Sequence, residues 1–257
     1  MDLGLAGRTA LVCASTSGLG EATARALAAE GARVAVSGRR AQRAEEIAAE
    51  LPGALGVGVD LTAADGPDTL VSRTTAALGP VDVLVLNSGG PPPSTAATID
   101  HDAIAEALVP LLYAQQRLVS LVLPGMRERG WGRIVGIESV GVVAPIPGLA
   151  LSNLGRAATA AYLKTLAGEV AADGVTVNVV LPGRIATART EGIDGYIAER
   201  EGITPAEVES RAVAGIPAGR YGTAAEFGAV ATFLCSAAAS YVTGSAVRCD
   251  GGLVQSL

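Results

Sequence analysis

The chain of 257 residues contains few of the side chains that carry most acid–base and metal chemistry. It has one histidine, His101, and one lysine, Lys164, because every other basic residue is arginine. A metal site built from clustered histidines is therefore excluded. A serine–histidine–aspartate triad could use only His101, so most histidine-based schemes depend on this one side chain.

Charge and cysteine are scarce as well. Charged residues make up 17% of the chain, the net charge is −6, and no run is rich in basic residues, so nucleic acid is not an expected partner. Cys13, Cys235 and Cys249 are widely spaced in apolar surroundings, which favours buried thiols in a reducing, cytoplasmic compartment. No uncharged run reaches the roughly 18–20 residues of a membrane span, and no signal peptide is recognisable, so no membrane association is expected.

Apolar residues dominate what is present, at 49% of the chain, which indicates a folded core. Apolar, β-branched runs alternate with alanine-rich stretches, and this predicts an α/β fold with a doubly wound parallel sheet of the Rossmann type, in one domain over 1–257. Residues 188–220 are richer in charge, glycine and proline, and they are predicted to form a mobile insertion over the substrate. The predicted strands are 9–13, 33–37, 55–59, 81–86, 133–137, 175–181 and 245–248.

Glycine and hydroxyl residues join the first predicted strand to the first helix, in the order Ser15, Thr16, Ser17, Gly18, Leu19 and Gly20. Backbone N–H groups and the helix dipole at such a junction can hold a pyrophosphate, although a tight turn is the structural alternative. Two further loops end strands at the same edge of the sheet, where ligands bind in such folds. They contain Asp60 and Leu61 after the third strand, and Asn87, Ser88 and Gly89 after the fourth.

The end of the second strand indicates which dinucleotide is bound. A carboxylate at this point accepts the ribose 2′-hydroxyl of NAD, but Gly38 occupies the position. Arg39 and Arg40 follow it, and two cations suit a 2′-phosphate, so NADP(H) is favoured over NAD(H). The alternative is that Arg40 is a solvated residue at the start of the next helix.

Several further motifs accompany these loops. They are Gly132-Arg133-Ile134-Val135, Ser139, Pro182-Gly183 with Thr187, Tyr241-Val242-Thr243-Gly244 and Asp250-Gly251-Gly252. Together with the loops they resemble the short-chain dehydrogenase/reductase family, particularly its ketoacyl-reductase-like members, over nearly the full length. The resemblance implies a seven-stranded doubly wound sheet, a nicotinamide cofactor, hydride transfer at a carbonyl or alcohol carbon of a small-molecule substrate, and a homo-oligomer, either tetramer or dimer. It adds Pro182, Gly183 and Thr187 to the cofactor-binding residues.

The same resemblance implies an altered active site. Family enzymes use a serine, a tyrosine thirteen residues later and a lysine four residues beyond that, with an asparagine on the preceding helix. Here Ser139 matches, while Ser152 stands at the tyrosine position, Arg156 at the lysine position and Leu111 at the asparagine position. Ala14 replaces the first glycine of the cofactor loop.

We expect Ser139, Ser152 and Arg156 to form the catalytic set. Ser152 and Arg156 are four residues apart on a helix and therefore share a face. The two serines would polarise a carbonyl, with a bridging water as the proton donor. Arg156 stays protonated, so it would hold the cofactor ribose and act through its fixed charge, without relaying a proton.

Other polar residues are assigned lesser roles. Alternation along the strand turns Glu138 to the face opposite Ser139, which favours a structural role. Tyr113 and Tyr162 are expected to pack against the core, and His101 is expected at the surface. Tyr196, in the 188–220 segment, is a candidate substrate contact.

These patterns support one leading function and two alternatives. The leading hypothesis is an NADP(H)-dependent oxidoreductase of the carbonyl reductase or alcohol dehydrogenase type. A site that has lost the usual tyrosine and lysine is also compatible with a non-redox cyclase, lyase or isomerase. The third possibility is a non-catalytic subunit that retains nucleotide binding.

Overall fold

A computed structural model describes residues 1–256, which form seven β-strands and nine α-helices in that range. The strands are β1 (Thr9–Val12), β2 (Arg33–Gly38), β3 (Leu55–Gly58), β4 (Val83–Leu86), β5 (Gly132–Ile137), β6 (Val175–Pro182) and β7 (Ala246–Cys249). The helices are α1 (Gly18–Ala29), α2 (Ala41–Ala49), α3 (Gly66–Leu78), α4 (His101–Leu108), α5 (Ala114–Glu128), α6 (Ala150–Val170), α7 (Ala188–Glu201), α8 (Pro205–Ala214) and α9 (Ala224–Leu234).

All seven strands pair in parallel in one sheet of order β3-β2-β1-β4-β5-β6-β7. The prediction of a single, doubly wound, seven-stranded domain is confirmed. The chain moves outward in one direction from β1 to β3, and then in the other from β4 to β7. The connections leaving β1 and β4 therefore diverge at the carboxyl edge, where a crevice opens for a ligand.

Both faces of the sheet are buried, which explains why the strands are apolar throughout. Successive residues point to opposite faces, so neighbours such as Leu11 and Val12 enter different cores. One core contains Leu11, Leu84 and Ile134 with Leu70, Leu118 and Leu163 from α3, α5 and α6. The other contains Val12, Val34 and Val83 with Leu27, Ile47 and Phe227 from α1, α2 and α9.

The helical region expected over 99–129 is divided by a π-helical turn, Val109–Tyr113. Pro110 lies in this turn and has no backbone N–H to donate. The widened turn leaves the carbonyl of Leu111 accessible to helix α6, where the hydroxyl of Thr159 donates to it. The break therefore joins the α4–α5 region to the helix that carries Ser152 and Arg156.

The helical stretch His101–Glu128 is long and apolar enough, by length and composition, to cross a membrane. In this fold its apolar side chains have packing partners. Leu118 and Val122 belong to one of the two sheet cores, and Leu111 contacts Leu151 of α6 in a smaller cluster. Core packing accounts for these side chains.

The cysteines match the expectation of unpaired thiols. Cys13 and Cys235 are fully buried, and burial raises the pKa of each thiol to about 12. Cys249 is half-buried at the end of β7, and burial raises its pKa as well. At neutral pH the three side chains are therefore neutral and act as small apolar groups.

Two glycines of α6 allow a matched test of how tightly this helix packs. A Cβ on Gly155 would lie 2.5 Å from Cδ1 of Leu111, whereas a Cβ on Gly168 would meet nothing within 4 Å. Gly168→Ala should raise the free energy of unfolding by about 0.5–1 kcal/mol, since alanine is the better helix former. Gly155→Ala should instead lower it by about 1–3 kcal/mol through overpacking. Denaturant unfolding measures both; equal effects of the two substitutions would contradict the tight contact.

Candidate active site

The loops at the carboxyl edge of the sheet enclose one large cleft of about 1460 Å³. Ligand pockets commonly measure roughly 300–1,000 Å³, so this cleft has room for a dinucleotide and a second molecule. The predicted site residues that line it are Thr16, Ser17, Gly18, Leu19, Arg39, Arg40, Asp60, Leu61, Asn87, Ser88, Gly89, Ser139, Ser152, Arg156, Pro182, Gly183 and Thr187.

Ser15 and Gly20 do not line the cleft, and they support the loop from behind. The buried hydroxyl of Ser15 donates to the carbonyl of Val12 at 2.8 Å and accepts from the N–H of Ser37 at 2.9 Å. A Cβ on Gly20 would lie 2.5 Å from the carbonyl oxygen of Ala14. These two residues therefore fix the path of the loop, and the cofactor-contacting role predicted for them does not follow from their positions.

The β1–α1 loop presents free donors to the cleft. Ser17 precedes α1, and its side chain makes no capping hydrogen bond, so its hydroxyl is available to a ligand together with the first N–H groups of the helix. Ala14 has φ +44°, a left-handed conformation that costs a non-glycine residue roughly 1–2 kcal/mol. The side-chain amide of Asn87 donates to the carbonyl of Ala14 at 3.1 Å and helps to hold this strained residue.

The two arginines after β2 have different surroundings. Arg40 donates through Nη2 to the carbonyl of Thr16 at 2.7 Å and so ties the end of β2 to the β1–α1 loop. Arg39 is exposed and makes no hydrogen bond or ion pair with residues 1–256. Gly38 is required by packing, since a Cβ there would lie 2.9 Å from the side chain of Thr16. Arg39 is therefore the cation that remains free for a ligand.

Asp60 and Ser88 line the cleft from the loops that follow β3 and β4. Asp60 accepts from the N–H and the hydroxyl of Thr62 at 2.9 and 2.8 Å, and these bonds lower the pKa of its carboxyl. The hydroxyl of Ser88 is buried and has no hydrogen-bond partner among residues 1–256. A buried hydroxyl without a partner next to an open glycine, Gly89, is the kind of group that a bound ligand satisfies.

Ser139 follows β5 and begins a short turn. Its Oγ accepts a hydrogen bond from the N–H of Gly141 at 3.0 Å. The hydroxyl proton is not used by this bond, so Ser139 can still donate toward the cleft.

Ser152 and Arg156 lie side by side on α6, as their spacing predicts, and each is 9% exposed. Arg156 donates through Nη1 to the carbonyl of Ile137 at 2.9 Å and through Nε to Oγ of Ser152 at 3.3 Å. Ser152 thus receives a donor from the protein and keeps its own proton for the cleft. The arrangement presents two serine hydroxyls and one guanidinium at the same end of the cleft.

Leu111, at the asparagine position implied by the resemblance, brings no polar group to this cluster. Its side chain is fully buried and packs against Gly155 of α6. Its backbone carbonyl is also engaged, because it accepts a hydrogen bond from the hydroxyl of Thr159.

Glu138 was expected on the face opposite Ser139, in a structural role. Helix α6 packs on that face, and Oε2 of Glu138 lies 3.6 Å from Nη1 of Arg156. The carboxyl therefore adjoins the site, which alternation alone did not indicate. Gly136 leaves room for the carboxyl, since a Cβ there would be 3.2 Å from Oε1. The side chain is fully buried, and neither oxygen has a hydrogen-bond partner among residues 1–256.

Burial raises the pKa of Glu138 to about 8, and the charge of Arg156 opposes this rise only in part. At neutral pH the carboxyl therefore keeps its proton, and it does not neutralise the guanidinium beside it. The charge of Arg156 is left to act on the cleft.

The sequence interpretation also overlooked Arg189, which lines the cleft from the start of α7. Its Nη2 donates to the carbonyl of Pro91 at 2.8 Å, across the cleft from α7. Partial burial and the positive charge of Arg156 both lower its pKa. In the sequence, only its position two residues after Thr187 indicated that Arg189 lies near the cofactor-binding residues. The sequence did not show that Pro91 faces Arg189 across the cleft.

Among the other candidates, Tyr196 lines the cleft and is 42% exposed. Tyr162 packs partly against the core, as expected. Tyr113 does not, because it is 56% exposed in the π-helical turn, so the packing role predicted for it is wrong. His101 is exposed at the start of α4, as expected.

Comparisons with known proteins agree with this architecture. A family model described as enoyl-(acyl carrier protein) reductase matches residues 13–254. The chain belongs to the short-chain dehydrogenase/reductase family. It is 33% identical to 3-oxoacyl-(acyl-carrier-protein) reductase of Haemophilus influenzae over 249 residues, covering 96% of this chain and 98% of the other. It is 34% identical to nodulation protein G of Azospirillum brasilense over 253 residues, with 96% and 98% coverage.

The structural comparison extends this membership to the whole fold. The crystal structure of L-sorbose reductase from Gluconobacter frateurii, in complex with NADPH and L-sorbose, superposes with a TM-score of 0.93 at 31% identity and covers 100% of both chains. The family match and these relatives show an NAD(P)-dependent oxidoreductase, and the expectation of such an enzyme is confirmed.

The buried carboxyl of Glu138 predicts a particular dependence of stability on pH. In the unfolded chain this group has its ordinary pKa of 4.5, whereas in the folded protein its pKa is about 8. Between these values the folded state binds the extra proton, so its stability must fall as pH rises, by about 1.4 kcal/mol per pH unit at most.

Glu138→Gln removes this ionisation and keeps the shape of the side chain. We expect wild type to lose stability relative to this variant between pH 5 and 8, with no further divergence at higher pH. Urea unfolding at several pH values measures the difference. Parallel stability curves for the two proteins would show that Glu138 is not held in its neutral form.

Proposed function

We propose that this short-chain enzyme is an NADP(H)-dependent reductase or dehydrogenase of a carbonyl–alcohol pair, in which Ser139 and Ser152 contact the reacting oxygen and Arg156 holds the cofactor. The observation that carries the proposal is the position of these three residues in the same cleft as the β1–α1 loop. One end of the cleft offers donors for phosphate, and the other offers donors for a carbonyl oxygen.

The residues present fit a dinucleotide. The free hydroxyl of Ser17 and the N-terminus of α1 can hold the pyrophosphate, and Asn87, Ser88 and Gly89 can hold the nicotinamide half. Pro182, Gly183 and Thr187 approach the same half from the end of β6. When bound, the cofactor supplies or accepts a hydride.

The two serines prepare the site for the charge that develops on the substrate oxygen. Ser139 accepts from Gly141 and Ser152 accepts from Arg156, so both hydroxyl protons are free to point to one oxygen. Such donors stabilise an oxyanion without reorganisation. Serine is a weaker acid than tyrosine, so the proton comes from solvent: a water between the two hydroxyls passes one proton to the developing alkoxide and regains one from bulk water.

Arg156 contributes a fixed charge to the same oxygen. Its guanidinium is held by the carbonyl of Ile137, and the neutral Glu138 leaves its charge uncompensated. A positive charge in a water-poor site favours the oxyanion and the phosphates of a cofactor alike.

The segment 188–220 completes the proposal as a cover for the substrate. It contains α7 and α8, which pack against each other, and α7 directs Tyr196 and Arg189 to the cleft. Movement of this pair of helices would admit the substrate and close over it.

The preference for NADP(H) is tested at Arg39. Arg39→Ala should weaken NADPH binding about 10-fold to 100-fold, because charge-assisted hydrogen bonds to a 2′-phosphate contribute about 1.5–3 kcal/mol. NADH has no such phosphate, so its dissociation constant should stay within a factor of two. Fluorescence titration with each nucleotide measures both constants.

Two further arginine variants serve as controls for the Arg39→Ala titrations. Arg40→Ala should weaken NADPH and NADH alike, since Arg40 supports the loop through Thr16. Arg43→Ala, at a partly exposed arginine of α2 that pairs with Glu21 and does not line the cleft, should leave both dissociation constants unchanged. Equal losses for the two nucleotides in Arg39→Ala would show that Arg39 does not select NADP(H).

The role of the serines is tested by removing one hydroxyl at a time. Ser139→Ala and Ser152→Ala should each lower kcat about 100-fold to 1,000-fold, as removal of one oxyanion donor does. NADPH affinity should change less than twofold. Ser120→Ala, on the exposed face of α5, is the control. Full activity in both active-site variants would exclude the proposed roles.

A further inference from the structure

Arg189 lines the cleft and takes no part in the proposed reaction. Arg189 has five N–H donors, and the only protein acceptor within hydrogen-bond distance among residues 1–256 is the carbonyl of Pro91. It has no carboxylate within 4.0 Å in that range. By contrast, Arg184, which also lines the cleft, is paired with Asp194.

Arg189 and Arg156 also repel each other. Both guanidiniums line the same cleft, and burial together with the charge of Arg156 lowers the pKa of Arg189. The carboxyl nearest to Arg156 is Glu138, which keeps its proton at neutral pH. Two positive charges therefore face one region of a protein whose net charge is −6. An anion bound between the arginines would remove the repulsion and use the free donors.

The two glycines opposite Arg189 have different surroundings. The guanidinium packs against Gly90, since a Cβ there would lie 2.8 Å from Nη2, whereas a Cβ on Gly89 would meet nothing within 4 Å. Open space for an anion therefore lies beside Gly89. Apolar side chains line the cleft nearby, among them Pro92, Leu149 and Ile193. Glu106 also lines the cleft but forms no ion pair with either arginine.

We propose that the substrate carries a carboxylate, which binds to the guanidinium of Arg189, and an apolar body that rests against the neighbouring wall of the cleft. This inference rests on the proposed function, because it places the substrate beside Ser139 and Ser152. Arg189 suits the role, since its planar group can donate two parallel hydrogen bonds to a carboxylate. The phosphates of the cofactor have other donors, at the N-terminus of α1 and at Arg39.

The experiment measures binding, so it does not depend on turnover. The full chain is saturated with NADP⁺ and titrated calorimetrically with acetate, butanoate, hexanoate and benzoate, and then with the matching neutral amides. We expect at least one carboxylate to bind about tenfold or more tightly than its amide. Arg189→Met should abolish that advantage, Arg189→Lys should retain part of it, and NADP⁺ affinity should change less than twofold.

Arg73→Met is the matched control, because it removes the same charge from an exposed residue of α3 outside the cleft. It should bind the carboxylates as wild type does. Equal binding of acids and amides to wild type, or no binding of any acid, would overturn the inference. A loss of NADP⁺ affinity in Arg189→Met as large as the loss of carboxylate affinity would also overturn it, by assigning Arg189 to the cofactor.

A separate assay distinguishes failure of the proposed function. NADPH oxidation is followed with 4-oxopentanoate, 5-oxohexanoate and 3-benzoylpropanoate and with their methyl esters. Faster turnover of the acids, lost in Arg189→Met, supports both proposals. A second outcome is that the acids bind in a way that depends on Arg189 while none of the six compounds is reduced at concentrations that saturate the cleft. That result supports the anion site and contradicts the proposed carbonyl reductase activity.

Discussion

The contact between Arg156 and the end of β5 organises the candidate site. One guanidinium donates to the carbonyl of Ile137 and to the hydroxyl of Ser152, so it joins the sheet to α6. This joint fixes the distance between the serine on the helix and Ser139 at the end of the strand. Arginine can serve as such a joint because it is planar, has several donors and does not lose its proton.

The hydrogen bonds of Arg156 also explain why the neighbouring carboxyl of Glu138 is neutral. A buried carboxyl beside a guanidinium would ordinarily ionise and form an ion pair, but the Oε2–Nη1 distance is 3.6 Å and neither oxygen of Glu138 accepts a hydrogen bond among residues 1–256. Desolvation therefore outweighs attraction, and the acid stays neutral up to about pH 8. The guanidinium of Arg156 therefore keeps its positive charge uncompensated at this end of the cleft, in a protein whose net charge is −6.

Much of the fold followed from the sequence, because its signals are local. Apolar strands separated by alanine-rich helices predict a buried parallel sheet, and parallel strands bring their following loops to one edge. Ser152 and Arg156 could be placed on one face from their spacing alone. The π-helical turn at Val109–Tyr113 could not be predicted, since its hydrogen bond to Thr159 joins residues 48 positions apart.

The sequence by itself determined the family, the parallel sheet and the placement of Ser152 and Arg156 on one face of a helix. Only the tertiary structure decided what surrounds those residues. Alternation gave the face of Glu138 correctly, but only packing showed that α6 and Arg156 occupy that face. In the same way, Arg189 donates a hydrogen bond to the carbonyl of Pro91, which is 98 positions away in the sequence. Periodicity reports the direction of a side chain, whereas its pKa and its partners depend on which distant segment packs against it.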